Sequence, residues 1–167
     1  MKLVLEQALR KYQSNVYKAA FGICGNREDA EDIAQEVFLT YYKSQIEFMS
    51  EEHIRRWLLK VAINKARNQK KSFWHKRRVD IPDFSEWLET HTREQQFNEY
   101  DESSEIIKAV MLLPEKCRIV LHLFYYESYS VKEISSIVGI KESTVKVQLH
   151  RGRTLLKSML EEKWENE

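Results

Sequence analysis

The stretch SVKEISSIVGIKESTVKVQLHRGR, residues 130–153, decides the fold. Ser130 and Glu133 stand at the spacing of a capping box, in which each side chain satisfies an orphan backbone N–H of the other at a helix start. Ile134 and Val138 follow at helical spacing and predict a buried stripe. Gly139 stops that helix, since the chain leaves a helix most easily through a left-handed glycine. Ile140 plugs the turn, and a new helix starts near Glu142 with Val145, Leu149 and Leu156 inward. Two helices joined by a turn of about three or four residues containing glycine make a helix-turn-helix.

The same signals recur outward from this stretch. Upstream, Pro114 suits the first position of a helix running from Glu115 to about Tyr126, and Ile106, Ile107, Val110 and Leu113 predict another before it. Near the N-terminus a first helix is expected from Leu3 to Ile23, closed by Cys24, Gly25 and Asn26. Asn26 caps a second helix with Asp29 at capping-box spacing, carrying Ile33, Val37 and Tyr41 inward. Ser50 caps a third, where Ile54, Leu58, Val61 and Ala62 form the stripe. Only 4 Gly and 2 Pro punctuate a chain that is 43% hydrophobic, and no window alternates as a strand would. The expected class is all-α: two small helical domains, residues 1–79 and 104–167, joined by an acidic linker, 80–103, with the helix-turn-helix in the second. Within the linker, Trp87, Leu88 and Phe97 suit a short docking segment.

A net charge of +1 conceals opposed blocks. Arg55 to Arg78 holds ten Lys or Arg and no acid, whereas Asp80 to Glu105 holds nine Asp or Glu and one base. No apolar run reaches the length that crosses a bilayer, and the N-terminus becomes charged too early for a secretory signal. Cys24 and Cys117 share no metal-ligand spacing and read as reduced core thiols. A cytoplasmic protein without metal or cofactor is expected.

Three constellations carry function. On the helix from Glu142, the residues Ser143, Thr144, Lys146, Val147, Gln148, His150 and Arg151 supply small, hydrogen-bonding and cationic side chains near a helix start, as a duplex reader requires. On the basic helix, Trp57, Lys60, Asn64, Arg67, Asn68 and Lys71, with Phe73 and Trp74 beyond, interleave cations, amides and aromatic faces, a mixture that suits single-stranded nucleic acid. The acidic run Asp29 to Phe38 offers paired carboxylates, but no nucleophile, histidine or metal-ligand partner accompanies them. It suits docking on a basic protein surface rather than catalysis.

In order and spacing, NREDAEDIAQEVFLTYYK (26–43), RRWLLKVAINKARN (55–68), KKSFWHKRR (70–78) and the run from Leu113 to Leu156 closely resemble the extracytoplasmic-function sigma factors. The resemblance covers Leu9 to about Leu160 and is weakest in the linker. It implies a non-enzymatic subunit that binds core RNA polymerase and directs initiation at promoters. Asp32, Gln35 and Glu36 fall on the positions that meet the β′ coiled coil. Trp57 to Arg78 falls on the part that captures the melted −10 element, with Asn64 and Asn68 near the pocket for an extruded base. The second domain falls on the part that binds the β flap tip and reads the −35 element through Glu142 to Arg153. The resemblance also implies an anti-sigma partner, a linker that threads the polymerase channel, and no further C-terminal domain after Leu160. Two departures stand out: Val147-Gln148 replaces a frequent Ser-Arg, so an amide that favours adenine stands at Gln148, and Gly152 replaces a frequent Ala. The alternatives, a free-standing helix-turn-helix regulator of transcription or an RNA-binding adaptor, leave one half of the chain without a purpose.

Overall fold

The computed structural model describes the backbone of residues 1–76 and 101–165, and the side chains of 1–71 and 105–162. The chain divides into two compact units, the first built on α1 (Leu5–Cys24), α2 (Arg27–Lys43) and α3 (Glu51–Lys76). The second is built on α4 (Asp101–Leu112), α5 (Glu115–Leu121), the first part of α6 (Val131–Val138) and α7 (Glu142–Glu165). All regular elements among the described residues are helical. The expected linker falls mostly outside them, with Trp87, Leu88 and Phe97, while α4 already begins at Asp101.

In the first unit the three helices pack on one another around Val16, Phe21, Ile33, Val37, Ile54, Leu58 and Ile63. Alanines at 8, 19, 20, 30, 34, 62 and 66 are buried between them, which lets the helix axes approach closely. Val61 is only half-buried; Leu59, Ile63 and Ala66 complete the stripe in its place. The caps form as sequence spacing requires. Asp29 N–H donates to Asn26 Oδ1 at 2.9 Å, and His53 N–H donates to Ser50 Oγ at 3.1 Å. Buried Tyr41 satisfies its hydroxyl by donating to the Leu3 carbonyl at 2.7 Å.

In the second unit Ser130 and Glu133 exchange the two bonds of a capping box, both at 3.1 Å. Gly139 turns the chain at φ 78°, so α6 and α7 form the expected helix-turn-helix. Pro114 stands at the cap position, one residue earlier than its spacing suggests, and α5 passes into a π turn over His122–Tyr126. Arg118 folds back to donate to the carbonyls of Met111 at 3.0 Å and Leu113 at 3.4 Å, tying off the C-terminal end of α4. Gly152 has a packing reason that the sequence hides. A Cβ there would lie 2.8 Å from Leu121 Cδ1 and 3.3 Å from Cys117 Cβ, so the missing side chain allows α5 and α7 to touch. The helix propensity of about 1 kcal/mol given up by glycine is exchanged for that close approach.

Among the described residues one non-glycine residue is strained. Exposed Ser128 adopts φ 61°, a left-handed conformation that costs an L side chain about 1 kcal/mol relative to glycine. Ser128→Gly is therefore expected to stabilise the second unit by about 0.5–1 kcal/mol. A thermal midpoint raised by roughly 4 °C would register it; a lowered midpoint would contradict the backbone reading.

Candidate nucleic-acid interface

The surface of α2 follows from its helical period. Ile33, Ala34, Val37 and Phe38 face the core, leaving Asp32, Gln35 and Glu36 exposed together on the outer face. Sequence reading missed that the same face continues in apolar form: Leu39 is 52% exposed and Tyr42 64% exposed, one and two turns further on. Spacings of three and four residues place them in line with the acidic group. Acid followed by exposed apolar surface makes a patch suited to a protein partner that is itself basic and apolar.

On α3 the expected cation and amide row is present. Lys60, Asn64, Asn68 and Lys71 are all exposed, at spacings that place them on one side of the helix. Arg67 is half-buried at the edge of the row. Trp57 lies on the same side of the helix and is packed against neighbouring rings. It is half-buried, with its ring 5.6 Å from Phe48 at 78° and 6.1 Å from Tyr41 at 56°. These edge-on and tilted contacts hold the indole as part of an aromatic cluster joining α2, the loop after it and α3, which His53 extends at 5.2 Å from Phe48. Phe73 and Trp74 lie on the α3 backbone, and their side chains fall outside the described residues.

On α7, Val145, Leu149 and Gly152 are buried, while Ser143, Lys146, Val147, His150 and Arg151 are exposed and Thr144 is half-buried. Leu156, expected inward, is half-buried. Gln148 is set apart from the exposed residues of this helix. It is half-buried, and the Cys117 thiol donates to its side-chain oxygen at 3.2 Å, so its amide turns toward α5. The helical period explains this, because Gln148 falls nearer the buried stripe than the exposed arc. Burial pushes the Cys117 thiol up, with the Arg151 charge pulling the other way, so the group stays protonated as a donor at neutral pH. Among the described residues no cluster of His, Cys, Asp or Glu could hold a metal ion.

Residues 8–78 match the family described as "Sigma-70 region 2" and residues 103–156 the family described as "Sigma-70, region 4". The chain is 29% identical over 161 residues to the ECF RNA polymerase sigma factor SigW of Bacillus subtilis, covering 89% of this chain and 84% of the relative. It is 28% identical over 160 residues to SigM of the same organism, covering 94% and 95%. A solved structure of the sigma factor RpoE from Bartonella quintana, in complex with the anti-sigma factor NepR, shares the fold at a TM-score of 0.72. That match has 18% identity and covers 93% of this chain and 96% of the other. Two helical units, one with an exposed acidic face and a cation and amide row, the other with a helix-turn-helix, thus meet both family matches, and the chain belongs to the extracytoplasmic-function sigma factors of the sigma-70 family.

Proposed function

We propose that this sigma factor divides its work among three surfaces of the two units. The family binds core RNA polymerase and directs promoter-specific initiation, and its members are non-catalytic DNA-binding subunits. In this chain residues 1–79 would serve core binding and the melted −10 element, 80–103 the linker, and 104–167 the −35 element. Asp32, Gln35 and Glu36, extended by Leu39 and Tyr42, dock on the β′ coiled coil, and the second unit meets the β flap. Lys60, Asn64, Asn68 and Lys71 hold the separated non-template strand, with Arg67 at the margin and Trp57 as the packed edge of that surface. Ser143, Thr144, Lys146, Val147, His150 and Arg151 read the −35 duplex, and Gln148 acts through α5 rather than on a base. The relative held by an anti-sigma factor supports a similar inhibitor for this chain. Work beside the polymerase would be done in the cytoplasm. No described helix is long and apolar enough to cross a membrane.

The observation that carries this reading is the exposed amide and cation row of α3 in the same chain as a helix-turn-helix. A free-standing regulator needs only the second, and no observation favours it. Asn64→Ala with Asn68→Ala removes hydrogen-bonding groups from exposed positions and leaves the phosphate-binding cations in place. Permanganate reactivity of −10 thymines in holoenzyme complexes should fall about ten-fold or more, while closed complexes persist on gels. Equal loss of closed and open complexes would contradict strand capture by this row.

A further inference from the structure

Arg153 lies at the edge of the exposed face of α7. At 100° per residue that face begins at Arg153 and Lys146, passes through His150, and ends at Arg151 on the far side, an arc of about 160°. A helix lying in the major groove has a phosphate backbone along each of its flanks. Arg151 stands at one margin of the arc and Arg153 at the other.

Unlike an ordinary exposed arginine, Arg153 is fixed in place. Its Nε–H donates to the Tyr125 hydroxyl at 2.6 Å, and its guanidinium carbon sits 5.4 Å above the Phe124 ring and 5.5 Å above the Tyr125 ring. Both rings belong to the π turn His122–Tyr126, whose extra residue rotates the chain beyond it by about one helical step; such turns recur at functional sites. No carboxylate pairs with Arg153 among the described residues, and its two terminal amino groups make no other hydrogen bond there. The outward part of the guanidinium fork therefore stays available, and it matches two oxygens of a phosphate. Side-chain ordering that binding would otherwise demand is already in place in the free protein.

We propose that Arg153 is a phosphate clamp at one margin of the duplex-reading face, and that Tyr125 is its positioning residue. This rests on the reading of α7 as the duplex-reading helix. The full chain is titrated by fluorescence anisotropy against a labelled pool of mixed-sequence duplexes over a series of KCl concentrations. Arg153→Ala should weaken binding several-fold and make the slope of log K against log[salt] shallower by about 0.9, the value for one phosphate no longer neutralised. Arg153→Lys should restore the slope but only part of the affinity. Tyr125→Phe keeps the ring and removes the hydroxyl; it should weaken binding in the parent and have no effect beside Arg153→Ala. A merely structural tyrosine would weaken both alike, which would overturn the positioning role. An unchanged slope with Arg153→Ala overturns the clamp. If Arg151→Ala still makes the slope shallower in that case, the duplex-reading face survives; if it too is silent, that reading falls with the clamp.

Discussion

Replacing Asp32 and Glu36 together with lysine is expected to abolish co-elution of the chain with core RNA polymerase. Both side chains are exposed on α2, and neither supports the core formed by Ile33, Val37 and Phe38 on the other face. Exposed substitutions away from caps and ion pairs change stability by only about 0.5 kcal/mol, so helicity by circular dichroism should be unaltered. Binding is another matter. Two reversed charges set against a basic partner cost several kcal/mol, a loss on the order of a thousand-fold in affinity. Leu39→Ala and Tyr42→Ala should weaken the complex with less effect on its salt dependence, since each removes apolar surface rather than charge. Unchanged co-elution of the double lysine variant would remove this face from core binding.

Trp57→Ala should act mainly on the fold. The indole sits against Phe48 and Tyr41, both about 1% exposed, so truncation opens a gap at the junction of α2, α3 and the loop between them. A fully buried aromatic truncated to alanine costs about 3–5 kcal/mol, and a half-buried one correspondingly less, about 2–3 kcal/mol. The first unit should lose on the order of 10 °C or more in thermal midpoint, and open-complex formation should fall with it. Lys60→Ala and Asn64→Ala, at exposed positions, should leave that midpoint nearly unchanged. A Trp57→Ala protein that melts like the parent yet fails to hold single-stranded DNA would restore the ring to base stacking.

The legible part of the sequence was local chemistry. Capping pairs, the Gly139 turn and helical apolar periods each have one dominant solution, so the helix-turn-helix and the three-helix unit could be read from them. Packing between elements distant in sequence escaped. Trp57 lies on the same arc of α3 as Asn64 and Lys60, and nothing within that helix announces that Phe48 and Tyr41 close over its ring. Gln148 shares a helix with the exposed readers, yet Cys117, 31 positions away, draws its amide aside. Gly152 resembles a missing alanine in the sequence, whereas in the fold Leu121 stands where its methyl group would be. The exposed Leu39 and Tyr42 did carry a signal, since they fall in step with Asp32 and Glu36 rather than with Val37 and Phe38. The fixing of Arg153 by Tyr125 carried none, because the π turn that brings the two together leaves no mark in residue spacing.

The most direct measurement is transcript sequencing from a reaction of core polymerase, this chain and a library of randomised promoters. Core alone should give little promoter-dependent RNA. Adding the chain should give discrete 5′ ends, each preceded by two enriched blocks at the −10 and −35 positions, and Val147 variants should shift preference within the −35 block alone. Transcripts indistinguishable from those of core alone, under conditions where the chain is folded and bound to the polymerase, would contradict its role as an initiation factor.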